Sequence, residues 1–351
     1  MVLPGVERSS VDVGDILFGM KEEARRMENL MFSLNATVPV FLTMVLGFVL
    51  HKGRIIDDSF ASKLNQFVFK IALPVLMFDQ LATTDFVSVW DTKFVLFCFS
   101  VTLLSIGLAY LLSLLIKNKS ARGEFVQAAY RSSAAILGIA YTQNIYGDAG
   151  MTPLMIIASV PLYNAMAVVV LALTAPADHV NGSAGDLARR DARHALAWRT
   201  VKEIITNPIL VGLVAGLLWS LLKIPVPSIL GKTLDNVGGL ATPLGLIAMG
   251  ASIDLKKVSG KLRPSVCAAV MKLVGLCSLF LPLAVAMGFR EAKLIAIMVM
   301  LGSPTTVSSF VMARNMGHEG TLTSNTVVIA TVVGAFTLTF WLWLLRSFGL
   351  V

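Results

Sequence analysis

The segment Leu301-Gly-Ser-Pro-Thr-Thr-Val-Ser-Ser309 sets five hydroxyl side chains around a proline in the middle of an otherwise apolar stretch. Proline removes a backbone donor and crowds the preceding turn, so a helix through Pro304 must open there. In a membrane, freed backbone groups are tolerated only against protein or a water-lined cavity. A half-helix N-terminus at such an opening offers unpaired N–H groups and a partial positive charge, which suits an anion. Ser303, Pro304, Thr305 and Thr306 are therefore candidate substrate contacts. Arg131-Ser132-Ser133, followed by Gly138, is the counterpart in an earlier apolar stretch.

Charge inside an apolar stretch is costly and marks function by default. Lys272 stands about ten residues into its stretch, roughly 15 Å deep at the helical rise. It reads as a ligand or coupling group, or as one half of a buried pair, and Arg131 reads as a substrate contact. Lys70 and Arg314 lie closer to the stretch ends and read as interface anchors. Asp79, five residues after Pro74, is the acidic candidate for coupling, with a solvated carboxylate as the plainer reading. Pro74 and Pro243 join Pro304 as candidate helix breaks. Cationic residues outnumber acidic ones inside these stretches, which points to an organic anion as ligand.

The elements that must hold these residues are membrane helices. Mean hydropathy is +0.77, with 56% apolar and 14% charged residues in 351, outside the range of soluble domains. A bilayer core needs about 20 helical residues, and ten stretches approach that length: 34–50, 63–82, 93–116, 124–146, 151–174, 206–222, 234–254, 262–288, 291–314 and 321–346. The expected organisation is an N-terminal extension (1–33), a first five-helix unit (34–174), a linker (175–205) and a second five-helix unit (206–346). The extension lacks a signal-peptide core. It reads as an interfacial helix, or as residues ahead of a start at Met31.

Much of the sequence occurs twice, about 170 residues apart. Pro39 and Gly47 match Pro208 and Gly216. Lys63 and Ala72-Leu-Pro74 match Lys232 and Ala241-Thr-Pro243. Tyr146-Gly-Asp-Ala-Gly150 matches Met316-Gly-His-Glu-Gly320. Five spans per unit force the second to enter the membrane from the opposite side, which makes the repeats inverted, a transporter plan. Fifteen Lys and Arg residues fall in loops on the linker side, against six opposite and four in the extension. The linker is thus expected to be cytoplasmic and both termini outside. The net charge of +8 is spread over these short loops, so it speaks for orientation and against a nucleic-acid partner.

Cys98, Cys267 and Cys277 lie in apolar runs, and His51, His179, His194 and His318 lie in or beside loops without metal-ligand spacing. No metal, no cofactor and no enzyme chemistry are expected, since no nucleophile has a base nearby and no intramembrane acid pair is visible.

Phe69-Lys-Ile-Ala-Leu-Pro-Val-Leu-Met-Phe78, Arg131 to Gly147, and Ser303-Pro-Thr-Thr-Val-Ser-Ser-Phe-Val-Met-Ala-Arg314 resemble the auxin efflux carrier family, which includes the plant PIN carriers and bacterial carriers of malate and malonate. The similarity runs from about Ser33 to near the end of the chain. It implies ten helices divided into scaffold and transport elements, an elevator-like movement and often a homodimer. It also implies a substrate site where the fourth and ninth helices cross, at Ser132, Ser133, Pro304 and Thr305. Relatives commonly carry Asn in the fourth helix with a proline further along, where this chain has Ser133 and Ala140. The expected function is alternating-access transport of a small organic anion, a carboxylate, across a prokaryotic cytoplasmic membrane. The alternative is a non-transporting ligand sensor of the same fold, disfavoured because the short linker leaves no room for a signalling domain.

Overall fold

The computed structural model describes residues 13–83, 90–174, 198, 206, 208–253 and 262–351. Within the linker only Trp198 is among them, so the linker's basic residues lie outside the described residues, as do Lys256, Lys257 and Lys261. Regular structure among the described residues is helical throughout.

Helix α1 (Val13–Lys52) is a single helix of 40 residues, so the first span continues an N-terminal helix with no boundary at residue 33. Helices α2 (Asp58–Phe67) and α3 (Leu73–Ala82) are joined by a π turn over Val68–Ala72. Then follow α4 (Thr92–Ser113), the pair α5 (Lys119–Tyr130) and α6 (Ala134–Tyr146), and α7 (Thr152–Thr174). The second half begins with α8 (Pro208–Leu221) and the pair α9 (Ser228–Gly238) and α10 (Ala241–Ala251). Helices α11 (Leu262–Val270) and α12 (Leu276–Ala286) are joined by a π turn over Met271–Gly275. The pair α13 (Glu291–Gly302) and α14 (Ser308–Asn315) leads to α15 (Thr321–Ser347).

Among the described residues, five helices are long and apolar enough to cross a membrane unbroken: Met27–Lys52, Thr92–Ser113, Thr152–Thr174, Leu262–Ala286 and Thr321–Ser347. Several of the other expected stretches are divided. A half-helix such as α5, with 12 residues, rises only about 18 Å, short of the roughly 30 Å hydrocarbon core.

The prolines behave differently from one another. Pro39 lies inside α1 and opens no helix. Pro74 lies near the start of α3, and the π turn ahead of it, where the Leu73 amide bonds the Val68 carbonyl, lets the helix run on without a gap. Pro243 occupies the first turn of α10, where its missing N–H costs nothing; the interruption sits before it, at Gly239–Leu240. Pro304 alone of the three candidate breaks stands within an extended interruption.

Without a hydrophobic force between helices in lipid, close packing through small residues carries association. Helix α1 packs on α10, and α3 on α8. A Cβ at Gly47 would strike the Ile247 backbone, and one at Gly216 would strike the Phe78 backbone. Gly47 to Gly216 and Phe78 to Ile247 are both steps of 169 residues. The paired motifs 146–150 and 316–320 also share a backbone conformation: Gly147 and Gly317 have φ of 85° and 82°, Gly150 and Gly320 have 50° and 76°. Positive φ favours glycine at all four. Helix α13 lies in the centre, with every residue from Leu294 to Gly302 buried.

Candidate functional site

The two extended interruptions, Arg131–Ser133 and Ser303–Thr306, cross in direct contact. Both first residues leave the helix the same way, Arg131 with ψ of 142° and Ser303 with ψ of 152°. The Ser133 amide donates to the Pro304 carbonyl at 2.9 Å, and the Ser132 and Ser303 hydroxyls share a hydrogen bond.

The helix ends that lead into the two segments are capped by side chains from distant parts of the chain. The last carbonyls of a helix lack intrahelical donors. Thr305 Oγ1 donates to the Ala128 carbonyl at 2.7 Å in the last turn of α5. At the end of α13, Lys272 Nζ donates to the Met300 and Leu301 carbonyls at 3.0 and 2.7 Å. A cation at a helix C-terminus is also favoured by the helix dipole. Lys272 is fully buried, and its two partners are backbone carbonyls of α13. It stands on the π turn, whose displaced Leu273 carbonyl is met by Trp341 Nε1 at 2.9 Å.

Beside the crossing lies a cavity of about 550 Å³. Arg131, Ser132 and Ser133 line it from the first interruption, and Ala135 and Ile136 from the opening turn of α6. Thr306 and Ser308 line it from the second interruption and α14, Tyr163 and Asn164 from α7, and Asn65, Gln66 and Lys70 from α2 and its π turn. Arg131 is 5% exposed. Its guanidinium donates to Asn164 Oδ1 at 3.0 Å, Ser308 Oγ at 3.3 Å and Met312 Sδ at 3.2 Å. These neutral acceptors orient the fork, the geometry that suits a carboxylate.

Of the residues expected from sequence, the structure brings Arg131, Ser132, Ser133 and Thr306 to this cavity, while Ser303, Pro304, Thr305 and Lys272 sit in or behind the crossing. Asp79 and Pro243 are elsewhere: Asp79 faces Asp235 of α9, and Pro243 is exposed on α10. Pro74 borders a smaller neighbouring cleft that also contains Lys70.

Three features escaped the sequence reading. Lys70, assigned there as an anchor, lines the main cavity one helical turn after Gln66, and that i, i+4 spacing was the signal available. Asn164, a lone amide in an apolar span, holds Arg131. His318 lies in a loop as expected, but it is buried there, 3% exposed; its Nε2 meets the Leu171 carbonyl at 2.9 Å and its Nδ1 meets Ser120 Oγ at 3.0 Å. Gly123 admits this contact, because a Cβ there would collide with Thr174 and press on the imidazole. Among the described residues no three His, Cys, Asp or Glu side chains converge as a metal site.

Interrupted helices crossing beside a polar cavity define the class as a multi-pass membrane transport protein, and the comparisons with known proteins agree. The family profile described as "Membrane transport protein" matches residues 32–342. The chain belongs to that family, the auxin efflux carriers. It is 24% identical over 319 residues to an "Uncharacterized transporter" of Methanothermobacter thermautotrophicus, covering 89% of this chain and 98% of that one. It is 25% identical over 321 residues to the "Putative malonate transporter" of Rhizobium meliloti, covering 88% and 95%.

Proposed function

We propose that this transporter moves a small organic anion, a short carboxylate, by alternating access, and that it is not an enzyme. The observation that carries the reading is the placement of Arg131 at the cavity beside the two crossed interruptions. A carboxylate entering there meets the guanidinium, the N-terminal turn of α6 and the hydroxyls of Ser132, Ser133, Thr306 and Ser308. Lys70, which lines the same cavity, supplies a second positive charge. Two cations around one cavity favour a substrate with two anionic groups, and the name of the Rhizobium relative makes malonate the first compound to try.

The supporting architecture in this reading is ten spans in two inverted five-helix repeats, 34–174 and 206–346. The shared 169-residue step of the Gly47 and Gly216 contacts and the matched glycine conformations support it. Lys272, Ser303, Pro304 and Thr305 act by holding the interruptions open for the substrate groups. Excess positive charge on the linker side supports a cytoplasmic linker and external termini in a prokaryotic cytoplasmic membrane. A homodimer follows from the family resemblance.

The test is counterflow in proteoliposomes preloaded with unlabelled malonate, succinate, malate or lactate, with labelled compound outside. Accumulation of a carboxylate that Arg131→Ala abolishes supports the reading. Saturable carboxylate binding with no counterflow would favour the ligand-sensor alternative. Neither binding nor flux for any carboxylate removes the anion assignment.

A further inference from the structure

On the other side of the crossing lies a second polar cluster that the proposed substrate path does not use. Glu124 and Gln127 are three residues apart on α5, so they share a helix face on adjacent turns. Both are fully buried. Glu124 Oε2 accepts from the Thr323 amide at 3.2 Å, in the first turn of α15. Gln127 Nε2 donates to the Ser309 carbonyl at 3.0 Å, at the start of α14. The remaining oxygens, Glu124 Oε1, Gln127 Oε1 and Ser309 Oγ, have no hydrogen-bond partner among the described residues. Ser309 is also fully buried.

A buried carboxylate oxygen without a donor is expensive, and an amide oxygen without one is costly too. The Thr323 amide and the α15 N-terminus supply only about half a positive charge. With Glu124 ionised, Glu124 Oε1 and Gln127 Oε1 are both acceptors, so neither relieves the other. Carboxylate, amide and hydroxyl oxygens are the ligand set of a hard cation. One carboxylate balances one positive charge, which selects a monovalent ion over a divalent one, since any excess charge would remain buried.

The geometry points to a binding site for a small alkali cation of the sodium class between α5, α14 and α15, with Glu124, Gln127 and Ser309 as side-chain ligands. Because Gln127 Nε2 already bonds the Ser309 carbonyl, the ion would tie α5 to α14, the helices that flank the two interruptions. That position suits a coupling ion for the anion bound on the other face.

The experiment is thermal unfolding of the purified full-length protein in detergent without carboxylates. N-methylglucamine chloride is replaced stepwise by NaCl, LiCl or KCl at constant ionic strength. A saturable rise in Tm with NaCl is expected, and Glu124→Gln should raise the midpoint of that titration at least about tenfold. If Glu124→Gln does not fold, Gln127→Leu and Ser309→Ala keep the carboxylate and should each weaken the sodium response about threefold to tenfold. No specific response to any of the three salts, or a wild-type midpoint in the variants that fold, overturns the site. The readout needs no transport substrate, so its failure is separable from failure of the anion reading. Sodium binding without carboxylate flux would remove only the latter.

Discussion

The two interruptions have nearly the same backbone course and almost opposite side-chain duties. Ser303–Thr306 contains a proline, and two of its three hydroxyls are spent on structure: Ser303 on Ser132, Thr305 on the Ala128 carbonyl. Arg131–Ser133 contains no proline, yet it opens equally far, because the Ser133 amide is drawn off to the Pro304 carbonyl. The first interruption is thus held open by the second and is left free to present Arg131 and Ser133 to the cavity. Pro304 opens its own helix and, through its carbonyl, the neighbouring one. A duplicated element can divide labour this way once one copy carries the conformational constraint for both.

The largest test of that division is charge removal at the first interruption. Arg131→Ala should weaken carboxylate binding by about tenfold to a hundredfold, the worth of a lost charged hydrogen bond, with Tm little changed; isothermal titration and thermal unfolding separate the two. Lys272→Met should do the reverse. It orphans the buried Leu301 carbonyl, costing about 1–3 kcal/mol, and leaves the Met300 carbonyl with only the 3.4 Å bond from Tyr163 Oη, so it should lower Tm while leaving substrate affinity within about threefold. If Lys272→Met instead destroys affinity at unchanged Tm, Lys272 touches substrate and the two segments are more alike than described.

A finer contrast comes from one position. Ser133→Pro deletes the amide that meets Pro304 and should destabilise by about 1–2 kcal/mol. Ser133→Ala keeps the amide and removes an oxygen that has no hydrogen-bond partner among the described residues, so stability should stay near wild type while affinity falls slightly. Equal Tm losses for both would mean that the amide bond does not hold the first interruption open.

The smallest effect lies at the membrane edge, where α13 starts toward the second interruption. Asp91 caps α4 and pairs with Lys293 of α13 at 2.6 Å. Partial burial raises the Asp91 pKa, but hydrogen bonds from Lys293 and from the Phe94 and Lys93 amides, with the Lys293 charge, outweigh it and hold the carboxyl below its ordinary 3.8. A depressed folded-state pKa stabilises the protein above the unfolded value and is lost as pH falls through the folded one. The Tm difference between wild type and Asp91→Asn should therefore be constant near neutral pH and shrink only below about pH 4. A difference that persists at lower pH would mean that the pair contributes through packing alone.

Much of the site was legible because its signals were local in sequence. Hydroxyls around Pro304, a cation beside Ser132 and Ser133, and recurring glycines each encode a backbone constraint within a few residues. Gly147, Gly150, Gly317 and Gly320 were visible as a repeated motif, and their positive φ values favour glycine at each. Lys70 and Lys272 were not legible in the same way. Both are single lysines in apolar spans at comparable chemical cost, and depth along a helix ranked Lys272 as the ligand and Lys70 as the anchor.

The sequence by itself determined a chain of apolar membrane helices with recurring motifs, the opening at Pro304, and the excess of cations over acids within those helices. These follow from composition, spacing and the missing proline donor, which act over a few residues. Only the tertiary structure decided that Lys272 caps the end of α13, that Asn164 holds Arg131 while Lys70 lines the same cavity, and that Gln127 meets Ser309 next to the buried Glu124. Each of those depends on which side chain or carbonyl from a distant segment comes close, in the hydrogen-bonded cases to about 3 Å, and no local pattern specifies that.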